Sequence, residues 1–410
     1  MKYVFILLAA LLVGMIGSNT VLATPPSKSK TAHSLLPIRS ETDLQRYLRE
    51  TPPGKSPLDL LPRGAKKRFL GTLVFGRHGL GGFTGEDLQA NLTDAQIHQV
   101  LNLFGSEALS YAKLMHGRDR PPTPAERTAP ESPLELKFDK FYLASAHVKP
   151  QQIESITLSS YNALFSDAQQ AGELKKLDDH DLELLYRAAD STVFWSKASR
   201  YLDDMRHDLD ELQQRGLATD RRIAEFHQQL ISARRFTEAN ALAAAHPTAD
   251  LETLPPVQQV GTISGNEPTL LHLSTDGKHL WHQSVDIDAP LKIVVVASCH
   301  FSQDAAQAVS KDPTLNRLFH QHAIWLAPEN AMLTDTLDWN RKFPDQPIEI
   351  AWQDSQWPML DSWAMPTFYV FKHGKLVEEW TGWPDDSTAL QTMQAKLQAA
   401  GVLNKDSKGS

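Results

Sequence analysis

The chain of 410 residues holds one cysteine, Cys299, in the run Ser298-Cys299-His300-Phe301-Ser302. A thiol, an imidazole and a hydroxyl within four positions can do thiol chemistry. The thiolate is the nucleophile of such chemistry. Free amide N–H groups and the helix dipole favour it at a helix start. A protonated histidine beside it adds electrostatic support. The flanking residues supply that setting. Leu291 to Ala297 is almost wholly apolar and is β-branched from Ile293 to Val296, which predicts a strand buried on both faces. Ser302 to Ser310 has the Ala and Gln content of a helix, with Ser302 placed to cap it. The order is strand, cysteine, helix N-terminus.

Downstream, Ala364-Met365-Pro366-Thr367-Phe368-Tyr369-Val370-Phe371 leads into His373-Gly374-Lys375, then Leu376 to Trp380, then a helical stretch over 385–401. Together with Cys299-His300-Phe301-Ser302, this series resembles the thioredoxin fold, in which C-x-x-C opens a helix and a cis-proline lies beside the first cysteine. The spacing from Cys299 to Pro366 leaves room for an added strand and helix, as in the TlpA-like periplasmic branch. The resemblance spans 260–403. It implies that Pro366 is cis, that Met365 and Thr367 present backbone for strand-like pairing with a substrate, and that Cys299, His300, Ser302 and Pro366 form the catalytic set. Three positions depart from the pattern. Ser302 replaces the second cysteine, Ser298 replaces the preceding aromatic, and Ile293 stands where a buried acid is usual. A resolving thiol and the group that would take its proton are therefore absent together.

The elements that must hold this site follow from pattern. Leu270 to Leu273 and Leu280 to Val285 flank Ser274-Thr275-Asp276-Gly277-Lys278, a hairpin signal. Strands are expected at His322 to Leu326 and Ile348 to Trp352, with a helix over Ala331 to Lys342 between them. Leu254-Pro255-Pro256-Val257 reads as the linker into this domain. The fold class is thus an α/β C-terminal domain, a central mixed sheet flanked by helices, after a mainly α-helical N-terminal region. Eight of the nine tryptophans follow residue 280, and Trp352, Trp357 and Trp363 crowd the approach to Pro366. Trp363 and Trp357 are candidate substrate contacts on a rim. Core packing is the other reading.

Residues 1–23 read as a signal peptide. Lys2 precedes an apolar core, and Val21-Leu22-Ala23 fits a cleavage site. A flexible leader over 24–34 follows, then an unassigned, mainly helical domain over 35–146. Within it, Arg68 to Phe75 reads as strand or short helix, Gly79 to Phe83 as a tight turn, Thr93 to Gln96 as a capping box, and Gly117 to Pro133 as a long loop. The glycine cluster lacks phosphate-binding spacing, so no cofactor is expected. Residues 147–250 read as helical hairpins, and Arg235 to Pro247 resembles part of a tetratricopeptide unit. A packed bundle is the other reading.

A net charge of −8 gives no electrostatic case for nucleic acid. Past the N-terminal segment no apolar run is long enough to span a membrane, so the mature chain is expected to be periplasmic and soluble. Three functions remain. The first is thiol–disulfide exchange through a mixed disulfide at Cys299, isomerase-like or glutathione-linked. Its substrate would be a disulfide-bearing or extended polypeptide, and a small thiol or redox protein would be the reductant. The second is a non-catalytic binding module of the cell envelope. The third is metal handling by Cys299, His300, His320 and His322. It is the weakest, because metal chaperones of this fold use two cysteines.

Overall fold

The computed structural model of the protein describes residues 37–403 apart from 77–78, 171, 197, 266 and 385–387. The segment read as a signal peptide and the leader after it lie outside the described residues. The chain is mixed α/β, with a helical N-terminal part and a C-terminal mixed sheet flanked by helices. It divides into two compact units at Thr219/Asp220. The region read as helical hairpins over 147–250 is therefore shared between them.

The first unit begins with short helices around an apolar core that includes Leu44, Leu58, Phe69, Leu88, Val100 and Phe104. Thr93 caps the helix Asp94–Asn102 in a reciprocal box with Gln96, as the spacing predicts. Arg68 to Phe75 proves to be both things read into it. The helix Arg63–Gly71 ends there and strand β1, Val74–Gly76, begins. The glycine cluster is not a turn but strand β2, Gly79–Gly82, antiparallel to β1. Pairing between Gly76 and Gly79 brings two backbones together where side chains are missing, so strand formation overrides turn propensity. The proline-rich loop 117–133 contains one short helix, Pro124–Thr128, capped by Thr123.

The helices Pro133–Ala144, Pro150–Phe165, Asp179–Ser196 and Ser199–Gln214 each pack on the next, and the first also packs on the third. That last contact belongs to a bundle, since a one-dimensional array joins only neighbours. A buried ion network ties these helices to the earlier ones. Arg68, fully buried, donates to Asp87, Glu135 and Asp139 at 2.7–3.2 Å. Arg187 donates to Glu86 and to Asp87, and its guanidinium lies over the Phe138 ring.

The second unit opens with the helices Asp220–Ser232 and Phe236–Ala245. Eight strands follow: β3 Val257–Val260, β4 Thr269–Leu273, β5 Leu280–Ser284, β6 Lys292–Val296, β7 Ala323–Ala327, β8 Ile348–Ala351, β9 Thr367–Lys372 and β10 Lys375–Thr381. Their order in one sheet is β10-β9-β6-β7-β8-β4-β5-β3. Strands β6, β7 and β8 run parallel, and β9 is antiparallel to β6. The Asp276-Gly277 turn joins β4 to β5, with Gly277 at φ 72°. His373 and Gly374 turn β9 into β10 with φ of 48° and 72°. Strand β3 lies in the stretch read as a linker and adds a parallel edge to β5.

Strand β6 is buried from Ile293 to Val296, as its apolar run predicts. Val294 and Val296 pack on one face with Leu326, Ala351, Trp357 and Tyr369. The helices His300–Lys311, Pro313–His322, Leu333–Lys342 and Thr388–Ala399 complete the unit. The second of these has no counterpart in the sequence reading. It begins at Asp312, whose carboxylate accepts from Thr314 N and Leu315 N, so capping chemistry alone could have revealed it.

His227, on the helix Asp220–Ser232, is 3 % exposed, and its Nε2 has no hydrogen-bond partner among the described residues. Burial pulls its pKa down from 6.5 to about 4. The unfolded chain therefore binds a proton that the folded chain refuses across that interval. Stability from this group is full above pH 6.5 and falls as the pH drops towards 4. Thermal melts of wild type and His227→Gln at matched pH values should show a smaller acid-side loss in the variant. Parallel curves would contradict the assignment.

Candidate functional site

Strand β6 delivers the thiol. Ala297 extends its pairing by donating N–H to the Leu326 carbonyl, and Ser298 then emerges exposed. Cys299 is itself the helix N-cap, with φ −81° and ψ 172° and no capping bond from its side chain. The expectation that Ser302 caps this helix is corrected. The helix starts at His300, and the Gln303 N–H closes the first turn on the Cys299 carbonyl. Ser302 sits inside that turn, fully buried, with Oγ 3.3 Å from the Cys299 Sγ. Its hydroxyl is occupied with the thiol instead of with the helix end.

The facing wall comes from the segment before β9. The Met365–Pro366 peptide bond is cis. Pairing of Val296 with Thr367 sets this segment beside the end of β6. The Cys299 thiol donates to the Met365 carbonyl at 3.5 Å, and the Ser298 hydroxyl donates to the Met365 Sδ at 3.1 Å. The Thr367 hydroxyl donates to the Ala364 carbonyl at 2.7 Å and lies 3.0 Å from the Thr381 hydroxyl. Gly382 N–H donates to the Pro366 carbonyl at 2.7 Å. The backbone on both sides of Pro366 is held by these bonds.

Cys299, Ser302, Met365, Pro366 and Thr367 are thus brought together. His300 is exposed, its ring 3.8 Å from that of Phe301, and it makes no hydrogen bond to Cys299 among the described residues. Trp363 is half-buried and packs with Met365 against the core face of the sheet, so it can meet a ligand. Trp357 cannot. It is 1 % exposed, and its indole N–H donates to the Thr269 carbonyl at 3.3 Å, so this candidate contact is a core residue. Trp352 lies between the His282 ring, 3.8 Å away, and the Arg234 guanidinium.

His320 and His322 end the helix Pro313–His322, where His320 Nδ1 is 3.1 Å from the Asp345 carbonyl. Among the described residues no three His, Cys, Asp or Glu side chains converge as a metal site would need. No described helix is long and apolar enough to cross a membrane.

Compared with known protein families, curated proteins and solved structures, the chain has no match. The functional argument therefore rests on the site's own geometry.

Sequence reasoning passed over Tyr369. Its ring is fully buried, and its hydroxyl donates to Asp361 Oδ1 at 2.8 Å and accepts from the Ser362 N–H at 3.0 Å. The signal was available: a tyrosine in a strand otherwise apolar on that face needs a hydrogen-bond partner when buried.

Proposed function

We propose that the C-terminal unit is a thioredoxin-like domain of C-x-x-S type that exchanges disulfides through Cys299. The observation that carries this reading is the double contact of one thiol. Its sulfur reaches the Ser302 hydroxyl on one side and the carbonyl preceding a cis-proline on the other. The strand order β10-β9-β6-β7-β8, with the thiol at the end of β6 and the cis bond before β9, supports it.

In the reaction the Cys299 thiolate attacks one sulfur of a substrate disulfide. The Cys299–substrate S–S bond forms, the substrate S–S bond breaks, and the released thiolate takes a proton from water. The thiolate forms at a helix start, where amide N–H groups and the Ser302 hydroxyl can donate to it. The Ser302 hydroxyl cannot resolve the mixed disulfide. A small thiol, a redox protein or the substrate's own second cysteine must do so. An extended polypeptide suits the site, because the chain around Pro366 offers strand-like pairing and Trp363 a half-buried apolar contact. We place the mature protein in an exported, periplasmic setting, on the Met1–Ala23 pattern and the TlpA-like resemblance.

The missing second thiol favours a second reading, a binding module of the cell envelope with no turnover. Incubation with a model peptide disulfide separates the two. Exchange predicts an intact-mass increment of one peptide half on the folded chain, lost on reduction and absent from Cys299→Ser. A chain that takes up no peptide, and that iodoacetamide labels only after denaturation, is the binding module.

A further inference from the structure

We infer that the Tyr369 hydroxyl is the positioning group for the substrate wall beside Cys299, an inference that rests on the thiol–disulfide reading. The wall is the irregular segment from Trp352 to Pro366, which crosses the sheet face that buries Val294, Val296 and Leu326. Its first half is tied down by backbone and core contacts. Trp352 N–H donates to the Thr269 carbonyl, the backbone N–H groups of Glu329 and Asp354 each donate to the other's carboxylate, and Trp357 is buried.

The second half, Asp361 to Ala364, carries Trp363 and leads directly into Met365 and the cis bond. It contributes no regular secondary structure. Its attachment converges on one oxygen. The Tyr369 hydroxyl donates within reach of both Asp361 Oδ1 (2.8 Å) and the Ser362 carbonyl (2.9 Å), and it accepts from the Ser362 N–H (3.0 Å). The Ser362 hydroxyl in turn accepts from the Ala364 N–H at 3.1 Å. Tyr369 stands on β9 two residues after Thr367, in a ring-lined core beside Phe371. A rigid strand thus projects a single polar atom that fixes the loop on which Trp363 stands.

That geometry gives Tyr369 a selective role. It sets where Trp363 meets an extended substrate, while the sulfur itself is held by β6 and by the helix start. Loss of the hydroxyl should therefore weaken peptide recognition and spare the thiol. A buried ring that keeps its apolar packing but loses a three-partner oxygen loses order locally.

The test is Tyr369→Phe, which keeps the ring. With a peptide disulfide, KM should rise about tenfold while kcat holds, the loss of binding made equally in ground and transition states. Exchange with a small disulfide such as hydroxyethyl disulfide should change less than twofold. In a Trp363→Ala background the same substitution should add nothing, because the hydroxyl acts through Trp363. Hydrogen exchange of the Ser362 and Ala364 amides should quicken in Tyr369→Phe. This arm needs no catalytic activity. If wild type exchanges but Tyr369→Phe keeps its peptide KM, the inference falls and the thiol reading stands. If wild type exchanges with neither disulfide, the thiol reading falls. Unchanged protection of the two amides then removes the positioning role as well, and faster exchange leaves Tyr369 as the anchor of the loop.

Discussion

Ser302→Cys should cut the lifetime of a mixed disulfide at Cys299 by at least about a hundredfold, because a neighbouring thiol replaces an intermolecular encounter with an internal one. The native oxygen lies 3.3 Å from the Cys299 sulfur within one helical turn. A sulfur in that place needs only a small approach to the roughly 2.05 Å of a disulfide. The variant should therefore release bound peptide as an internally oxidised chain, and a thiol titration of the product should find no free cysteine. Stopped exchange sampled over time, with mass analysis, gives both rates. Equal lifetimes for wild type and variant would mean that residue 302 is not placed to resolve the bond.

The second large effect belongs to the first unit. Arg68→Met should destabilise it by about 3–5 kcal/mol, the usual loss when one partner of a buried charge cluster is removed. The guanidinium is fully buried and is shared by Asp87, Glu135 and Asp139. Methionine would fill part of the volume and leave the carboxylates facing one another. Arg46, by contrast, pairs with Asp43 at the surface, and Arg46→Ala should change stability by less than about 0.5 kcal/mol. Urea unfolding read from Trp195, the one tryptophan before Trp281, isolates this unit's transition. Similar midpoints for the two variants would refute the network's role.

The parts of this molecule that declare themselves in sequence are those where local chemistry decides the structure. Ile293 to Val296 is apolar at every position, and the strand it makes is covered on both faces. Asp276-Gly277 makes a hairpin because glycine accepts the positive φ there. Thr93 and Gln96 satisfy each other's backbone at one helix start. The parts that stay hidden depend on partners distant in the chain. Arg68 looks like any surface arginine until Asp87, Glu135 and Asp139 surround it. Trp357 reads equally as rim or core, and only its bond to Thr269 decides. Strand β3 carries Gln258 and Gln259 with no alternation to mark it, and forms because β5 offers an edge. At the site itself, the thiol's place at a helix start was legible. The hydroxyl of Ser302 turned towards it was not, since a serine near a helix start also suits a cap.

The central claim is that Cys299 attacks disulfides and has no thiol beside it to let them go. Cells making the full chain, quenched in acid and treated with a thiol-blocking reagent, test it on non-reducing gels probed for this protein. The account predicts bands of higher mass, or an intact mass raised by one glutathione, lost on reduction and absent from Cys299→Ser. A chain recovered only as the free thiol under oxidising conditions, with Cys299→Ser behaving as wild type, would contradict it.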